Sequence, residues 1–358
     1  MRAISLFCGA GGMDTGFAAA GAEVLWANEL NEDAAGTYRA NHPGVPVECA
    51  DIRIAKAGLA AFRGRNVGLV FGGPPCQGFS VAGKMDPDDE RNTLIWEFFD
   101  AVEAVAPPLF VMENVKALGT LARWEDVRQG IFQRAEELGY ACFSRVLNAS
   151  DFGVPQKRER VFFIGIQGPV SPPLAAGLFD AHLGGWRAPP PDLRQCLLEA
   201  GTAGSPDNPL TCTAKIYLAS RPVVRRSPYA GMLFNGMGRP MNLDELANTL
   251  PASMGGNKTP IVDERLLRDP GAENWIANYH RGLLSGAAPD PALPVPPHLR
   301  RLTIKEAAAI QTFPPDYVFR GEKSSVYRQI GNAVPCRLAQ AVAGAVLELG
   351  HEVLGIAV

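Results

Sequence analysis

The sequence predicts an α/β protein: a mostly parallel sheet wound with helices, carrying a second, smaller, loop-rich domain. Three observations predict it. Short apolar runs end abruptly in glycine, proline or a carboxylate and give way to helical periodicity, as buried parallel strands do. Composition changes after Gly168, where Pro-rich stretches (Pro169–Pro173, Pro189–Pro191) separate short segments without a long helical period. Helical periodicity then returns at Thr303, so the large domain is expected from both ends of the chain. We expect it over residues 1–168 and 298–358, with the smaller domain over 169–297.

The bulk composition excludes several classes. A chain of 358 residues with 47% hydrophobic content suits one large domain plus a smaller one, each with a real core. Seven cysteines, at 8, 49, 76, 142, 196, 212 and 336, are scattered and contain no CxxC pair. They suggest neither a zinc site nor a disulfide framework, and no metal is indicated. The amino terminus does not resemble a signal peptide, and no stretch of about 18 unbroken apolar residues suggests a membrane span. A reducing cytoplasm is expected. The net charge of −3 argues against a diffuse nucleic-acid binder, so any such affinity must come from a local basic face.

Taken in order, Ala3–Phe7 is a strand that runs into Cys8-Gly-Ala-Gly-Gly-Met-Asp14 and a helix from about Thr15 to Ala20. Strand, glycine turn and helix let backbone N–H groups approach a ligand. The spacing is Gly9-x-Gly11-x-x-Asp14, so the third glycine of a dinucleotide fingerprint is missing. Val24–Asn28 is the next strand and ends in Glu29, a carboxylate placed for ribose hydroxyls or simply a surface acid. Asp51 follows a short strand, Val45–Cys49.

Val67–Phe71 is an apolar strand that Gly72-Gly73-Pro74-Pro75 ends at once. Cys76 then sits on a turn at a strand's carboxyl end, where open α/β sheets place ligands. An activated thiol there suits attack on an electron-poor ring carbon; a buried small hydrophobe is the plainer alternative. The polar stretch Val81–Asn92 reads as a lid-type loop. A helix over Thr93–Val105 presents Leu94, Ile95, Phe98, Phe99 and Val102 on one face, and Pro107-Pro108 stop it. Leu109–Met112 is another buried strand ending in Glu113-Asn114, so Glu113 should emerge at the same sheet edge as Cys76. A helix from about Trp124 to Leu138 and a strand near Ala141–Leu147 follow. Gln156-Lys-Arg-Glu-Arg160 precedes the strand Val161–Ile166. Alternation puts Gln156, Arg158 and Arg160 on one face, either as a solvated strand or as a convergent grip on phosphate or a base carbonyl.

In the middle segment, Lys215, Arg221, Arg225, Arg226 and Arg239 lie between Thr211 and Pro240 with no Asp or Glu. Tyr217, Tyr229 and Phe234 interleave with them. Gly236, Gly238, Gly255 and Gly256 mark loops able to approach a large ligand closely. Pro289–Pro297 ends the segment. Thr303-Ile-Lys-Glu306 fits a capping box opening a helix to about Thr312. Ile330-Gly-Asn-Ala-Val-Pro335 leads to a last apolar helix, Cys336–Leu349, expected to pack in the large domain.

With these pieces placed, the chain resembles the DNA (cytosine-5)-methyltransferases of bacterial restriction–modification systems over Ala3–Ile166 and Arg300–Leu349. Phe7-x-Gly9-x-Gly11 is similar to the family's S-adenosylmethionine loop, Pro74-Pro75-Cys76-Gln77 to its nucleophile turn and Glu113-Asn114-Val115 to its acid motif. Gln156-x-Arg158-x-Arg160 is similar to its base-and-phosphate motif. Arg300-x-Leu302-Thr303, Gln311-x-Phe313-Pro314 and Gly331-Asn332-Ala333-Val334-Pro335 complete the set, in order. The resemblance implies a Rossmann-like S-adenosylmethionine-dependent methyltransferase domain and a target-recognition domain.

It also implies roles. Cys76, Glu113, Arg158 and Arg160 would be catalytic. Phe7, Gly9, Ala10, Gly11, Gly12, Glu29, Leu30, Asp51, Ile52, Gly73, Pro75, Leu94, Asn332 and Val334 would bind the cofactor, with Glu29 on the ribose and Asp51 on the adenine amine. Gln77, Ser80, Lys84, Arg91 and Gln156 would contact DNA, together with the five cations of the middle segment. The implied substrate is a flipped-out cytosine in a specific double-stranded DNA sequence, and the implied product of the donor is S-adenosylhomocysteine. A companion restriction endonuclease acting separately, and a monomeric state, are the implied partner and assembly. Ser5 stands where many members have an acid, and Leu30 where some have an aromatic residue. Asn248–Ser253 and Gly255–Lys258 fall where such enzymes read bases. The rival readings are a transfer RNA cytosine-5 methyltransferase, an inactive cofactor-binding regulatory module and, on the glycine loop alone, a nicotinamide dehydrogenase.

Overall fold

The apolar run that starts the chain forms β1 (Arg2–Leu6), whose last four residues are buried. The chain continues through α1 (Gly12–Ala19), β2 (Glu23–Glu29), α2 (Glu32–Asn41), β3 (Val47–Cys49) and the short α3 (Ile52–Ala55). Next come β4 (Leu69–Gly72), α4 (Leu94–Val105), β5 (Leu109–Val115), α5 (Lys116–Thr120), α6 (Glu125–Glu137) and β6 (Ala141–Asn148). Then follow β7 (Gln156–Lys157), β8 (Glu159–Ile166) and α7 (Pro172–Gly184). This is a computed structural model, and it describes residues 1–75 and 93–356. Cys76, Gln77, Ser80, Lys84 and Arg91, with the expected lid at 81–92, lie outside the described residues.

Seven strands form one sheet in the order β3-β2-β1-β4-β5-β8-β6. Pairing is parallel from β3 through β5, while β8 runs antiparallel to both β5 and β6. The sheet is mostly parallel, as expected. The direction of winding reverses between β1 and β4, and such a switch point leaves a crevice at the strands' carboxyl ends. Leu6 pairs with Gly72 and Phe71 with Val111, so β1, β4 and β5 deliver their following turns to one edge.

The core explains why the helices sit where they do. Ile95, Phe98, Phe99, Val102 and Val105 of α4 are buried at helical spacing. Phe99 meets Phe110 of β5 edge-on at 5.4 Å, and Phe110 meets Tyr140 at 5.0 Å. Each such fully buried ring contributes about 1.5–3 kcal/mol of transfer free energy. On the other face, Phe17 of α1 stacks on Phe71 of β4 at 4.1 Å. The last helix, α13 (Cys336–Leu354), is buried along most of its length and packs on α1 and α7.

The chain divides into two compact units. The first comprises Met1–Gly153, Arg158–Pro189 and Val334–Val358; the second comprises Val154–Lys157 and Pro190–Ala333. These limits differ from the expected domains in three places. Residues 169–189 join the first unit because α7 forms a 13-residue helix whose Phe179 packs on Phe143 of β6. His182 of α7 also meets Glu348 and Glu352 of α13. Its Pro-Pro start sits in the first turn, where proline costs no hydrogen bond, so these prolines open a helix rather than begin the smaller domain. Residues 298–333 join the second unit, so only α13 returns to the first from the carboxyl end. Val154–Lys157 also joins the second unit through β7.

The second unit contains α8 (Leu193–Glu199), β9 (Leu218–Val223), β10 (Met232–Phe234), β11 (Ala247–Asn248), β12 (Ile261–Asp263), α9 (Glu264–Arg268) and α10 (Trp275–Leu284). β13 (Leu299–Arg301), α11 (Ile304–Ile310) and α12 (Lys323–Asn332) complete it. Three two-stranded pairings, β9–β10, β7–β11 and β12–β13, are all the sheet it has among the described residues. Its core gathers Leu218, Leu233, Phe234, Ile261, Ile276 and Leu299. The expected capping box is present: the Thr303 side chain accepts from Glu306 N, and the Glu306 side chain accepts from Thr303 N. The ten-residue α10 lies where the sequence shows only short segments. Lys323–Leu354 is apolar and long enough by composition to cross a membrane, but 78% of its most apolar window is buried. It also breaks between α12 and α13, so it reads as core.

Candidate active site

The glycine turn after β1 is built by backbone geometry. Phe7, Gly9 and Gly11 have φ of 54°, 56° and 84°, so the chain reverses within five residues. Cys8 N donates to Asn28 O at 2.9 Å and Gly11 N to Cys8 O at 2.9 Å. Glu29 closes the turn: Oε2 accepts from Gly9 N and Oε1 from Asn31 N, each at 2.8 Å. Burial pushes the Glu29 carboxyl up, and those backbone donors oppose the shift. Asn28 Nδ2 donates to Glu48 O at 3.1 Å and Ala50 O at 2.8 Å, which fixes the end of β3 and the start of α3. The signal for Asn28 was available: it is an amide at the end of an apolar strand.

The remaining expected cofactor residues are placed unevenly. Ala10 and Gly12 are buried within the turn, and Ile52 is 3% exposed in the core beneath it. Leu94 is half-buried against the same core, whereas Leu30 is 67% exposed. Asp51 caps α3 through Arg53 N at 2.9 Å and pairs with the Arg53 guanidinium at 2.6 Å. Arg53 holds the Asp51 carboxyl below the usual carboxylate range. Val334 is buried in the first unit, and Asn332 is exposed in the second.

Behind the turn, Asp14 is fully buried and accepts from Tyr38 OH at 2.8 Å. Burial pushes its carboxyl up to about 6, against the lowering effect of Ser5 and Tyr38. In the sequence, Asp14 stands out only as the residue at the third-glycine position of the turn.

Glu113 occupies β5 itself. The strand runs on to Val115 because β8 pairs with it along its whole length, which corrects the expected end at Met112. The register sets Val115 opposite Arg160, so Arg160 and Glu113 share a face as diagonal neighbours. Arg160 Nε lies 2.9 Å from Glu113 Oε1. Burial raises the Glu113 carboxyl above its ordinary value, although Arg160 and Arg158 both pull it down. Arg158 is fully buried, and its backbone is clasped by Asn148 Oδ1 and Ala149 N. Asn114 Nδ2 donates to Pro74 O at 3.2 Å, which ties β5 to the Pro-Pro turn. A Cβ on Gly73 would stand 2.9 Å from Glu113 Oε2, so the turn and the carboxyl are packed together. Thus Gly73, Pro74, Glu113, Arg158 and Arg160 converge in one unit.

Gln156 requires a correction. It is fully buried in the second unit and both ends of its amide are used. Oε1 accepts from Leu250 N at 2.9 Å, and Nε2 donates to Gln311 Oε1 at 2.9 Å. Gln311 Nε2 in turn donates to Ile330 O and Ala333 O. Gln156 is therefore a tie between β7 and the second unit's core, with no surface to offer DNA. The expected alternation does hold: residues 156, 158 and 160 face inward while Lys157 and Glu159 are exposed. Lys215, Arg221, Arg225, Arg226 and Arg239 are all exposed. None of them pairs with a carboxylate among the described residues.

A doubly wound sheet with a glycine turn at its switch point and a buried, raised carboxyl on β5 is an α/β architecture of the methyltransferase type. The profile of the C-5 cytosine-specific DNA methylases matches residues 1–182 and 244–348, and the chain belongs to that family. It is a DNA (cytosine-5)-methyltransferase. It is 35% identical over 360 residues to the Type II methyltransferase M1.HphI of Haemophilus parahaemolyticus, covering 97% of this chain and 86% of that one. It is 31% identical to the Type II methyltransferase M.DdeI of Desulfomicrobium norvegicum, covering 96% and 88%. Among solved structures, the S. pombe Dnmt2 methyltransferase shares the fold with a TM-score of 0.64, at 17% identity over 99% of each chain.

Proposed function

We propose that this enzyme methylates carbon 5 of one cytosine within a specific double-stranded DNA sequence, through a covalent adduct of Cys76. We further propose that it is the protective half of a bacterial restriction–modification pair, working in the cytoplasm as a monomer. The observation that carries the mechanism is the buried Glu113 carboxyl, held by Arg160 and packed against the turn that leads to Cys76. The Type II methyltransferases among its relatives support the biological setting.

Cytosine carbon 5 is a poor nucleophile. The Cys76 thiolate adds to carbon 6, and the ring gains negative charge. Glu113, whose pKa burial raises against the pull of Arg160 and Arg158, gives a proton at ring nitrogen 3. Arg160 orients Glu113 and binds the ring carbonyl. Carbon 5, now enamine-like, accepts a methyl group; loss of its proton and expulsion of the Cys76 sulfur restore the ring. Stacking hides the ring in a duplex, so the base must be flipped out at a cost of a few kcal/mol.

The glycine turn fits S-adenosylmethionine: Gly9 and Gly11 leave its backbone open to close approach, and Glu29 is fixed beside it by backbone donors with acceptor capacity left for a hydroxyl. Bound there, S-adenosylmethionine would supply the methyl group from its sulfonium, with S-adenosylhomocysteine as the product. Glu29 would hold the ribose and Asp51 the adenine amine.

The test is transfer of labelled methyl groups to duplex DNA and to transfer RNA, followed by bisulfite sequencing of the DNA. Methylation of a defined DNA site that Cys76→Ser abolishes is the expected result. Labelling of RNA alone would establish the rival substrate, and no labelling of either would mark an inactive module.

A further inference from the structure

The second unit buries two amides end to end. Gln156 of β7 and Gln311, the residue after α11, are both fully buried. Which end of a buried amide is oxygen follows from its neighbours. Leu250 N can only donate, so it fixes Gln156 Oε1 as the atom it meets at 2.9 Å. The Gln156 NH2 group must then face Gln311, where it donates to Oε1 at 2.9 Å. The Gln311 NH2 group is left for Ile330 O at 2.6 Å and Ala333 O at 3.1 Å, which can only accept. A backbone donor at one end and backbone acceptors at the other thus settle the direction of the whole relay.

The relay ends on a corner. Asn332 is the last residue of α12, and the two carbonyls stand on either side of it in the chain. The last carbonyls of a helix lack partners within it, and here Gln311 supplies the missing donor. The corner is also held by backbone: a Cβ on Gly331 would lie 2.6 Å from Pro251 O and 2.7 Å from Ala252 Cα. Both ends of the relay are close to a change of unit along the chain, since the first unit resumes at Arg158 and again at Val334. An apolar pair in place of the two glutamines would leave Leu250 N and both carbonyls unpaired, which buried backbone groups tolerate poorly.

We propose that Gln156 is a positioning residue of the donor site: acting through Gln311, it fixes the corner that presents Asn332 to S-adenosylmethionine. The inference rests on the donor site proposed above. A Gln311 amide turned over would set its oxygen against Ile330 O and Ala333 O, and the corner would be pushed away. The Gln156 NH2 group prevents that turn, and Leu250 N prevents Gln156 from turning in its place. A group that holds the donor equally before and during methyl transfer acts on donor affinity and leaves turnover alone.

The test compares wild type and variants by calorimetric binding of S-adenosylhomocysteine to the full chain, beside KM for S-adenosylmethionine and kcat. Gln311→Met, similar in length but without an amide, should weaken that binding roughly 2- to 10-fold, the share of one hydrogen bond, with kcat at saturating donor changed less than about threefold. Gln156→Glu keeps an acceptor for Leu250 N. Ionised, it loses the donor that holds Gln311; protonated, it regains one. Relative to wild type its binding should therefore be weak at about pH 9.5 and restored at about pH 6, on either side of a buried carboxyl's range. Lost packing would show no such rescue. The double variant, Gln156→Glu with Gln311→Met, should be no worse than Gln311→Met alone, because both act at one corner. Where Gln311→Met does not fold, the pH series of Gln156→Glu decides alone. Wild-type binding in both variants, a Gln156→Glu defect equal at both pH values, or lost kcat with binding intact would overturn the inference. A wild type that binds S-adenosylhomocysteine but methylates no duplex would overturn the proposed function and leave the inference standing. One that binds no S-adenosylhomocysteine would overturn both.

Discussion

A methyl group on Gly73 would stand 2.9 Å from Oε2 of Glu113. The turn that leads to Cys76 and the acid expected to protonate the base therefore share one packed surface. Real Cβ atoms do not sit that close, so Gly73→Ala must push the carboxyl or the turn aside. We expect kcat to fall about 100-fold, the typical penalty for a misplacement of about 1 Å, with little change in Tm. Steady-state kinetics beside a thermal melt check this.

Glu113→Gln keeps the shape and the partner Arg160 but cannot give up a proton in the same way. A drop in kcat of about 10²- to 10⁴-fold is expected, with DNA affinity retained. In the wild type, kcat should decline as pH rises past the raised Glu113 pKa, because the acid form is then lost. A kcat that keeps rising with pH, measured to pH 9, would show that Glu113 is not the acid.

Asn114→Ala removes the 3.2 Å bond to Pro74 O. The loosened turn should lower kcat while binding of S-adenosylhomocysteine, measured by calorimetry, stays within about twofold. By contrast, Glu29→Ala removes the acceptor that holds Gly9 N and Asn31 N. It should weaken that binding at least tenfold, since a buried charge-assisted hydrogen bond contributes about 1.5–3 kcal/mol.

Asp14 links pH to stability. Its folded carboxyl titrates at about 6 against an ordinary value of 3.8. The folded state therefore binds the proton more tightly than the unfolded state. Below the ordinary value both states are protonated and there is no penalty; the penalty grows as pH rises towards 6 and is complete above it. At about 1.4 kcal/mol per unit, it approaches 3 kcal/mol at neutral pH. Relative to wild type, Asp14→Asn should gain stability between pH 4 and 7 in urea titrations. An unchanged difference between the two proteins across that range would show that Asp14 stays ionised.

The five exposed cations of the second unit predict a steep salt response. Each phosphate contact contributes a slope of about −0.9 in log affinity against log salt. Replacing Arg225 and Arg226 together by alanine should flatten that slope by about 2 in fluorescence anisotropy if each grips one phosphate.

The sequence by itself determined the strand–turn–helix units, because a buried strand and the turn after it are local events. Ala3–Phe7 runs into Cys8-Gly9, Val67–Phe71 into Gly-Gly-Pro-Pro, and alternation put residues 156, 158 and 160 on one face. The capping box at Thr303 was legible for the same reason. Tertiary structure decided what those side chains meet. Gln156 was expected on DNA, yet its amide is spent on Leu250 and Gln311, which are 94 and 155 residues away in the chain. The extension of β5 through Glu113 depended on an antiparallel partner, β8, whose register no local pattern encodes. α7 joined the first unit through a face that packs on β6 and α13, which its proline-rich start concealed. Local sequence fixes backbone direction and which face is apolar, whereas the partner of each buried polar group depends on segments that meet only when the chain has folded.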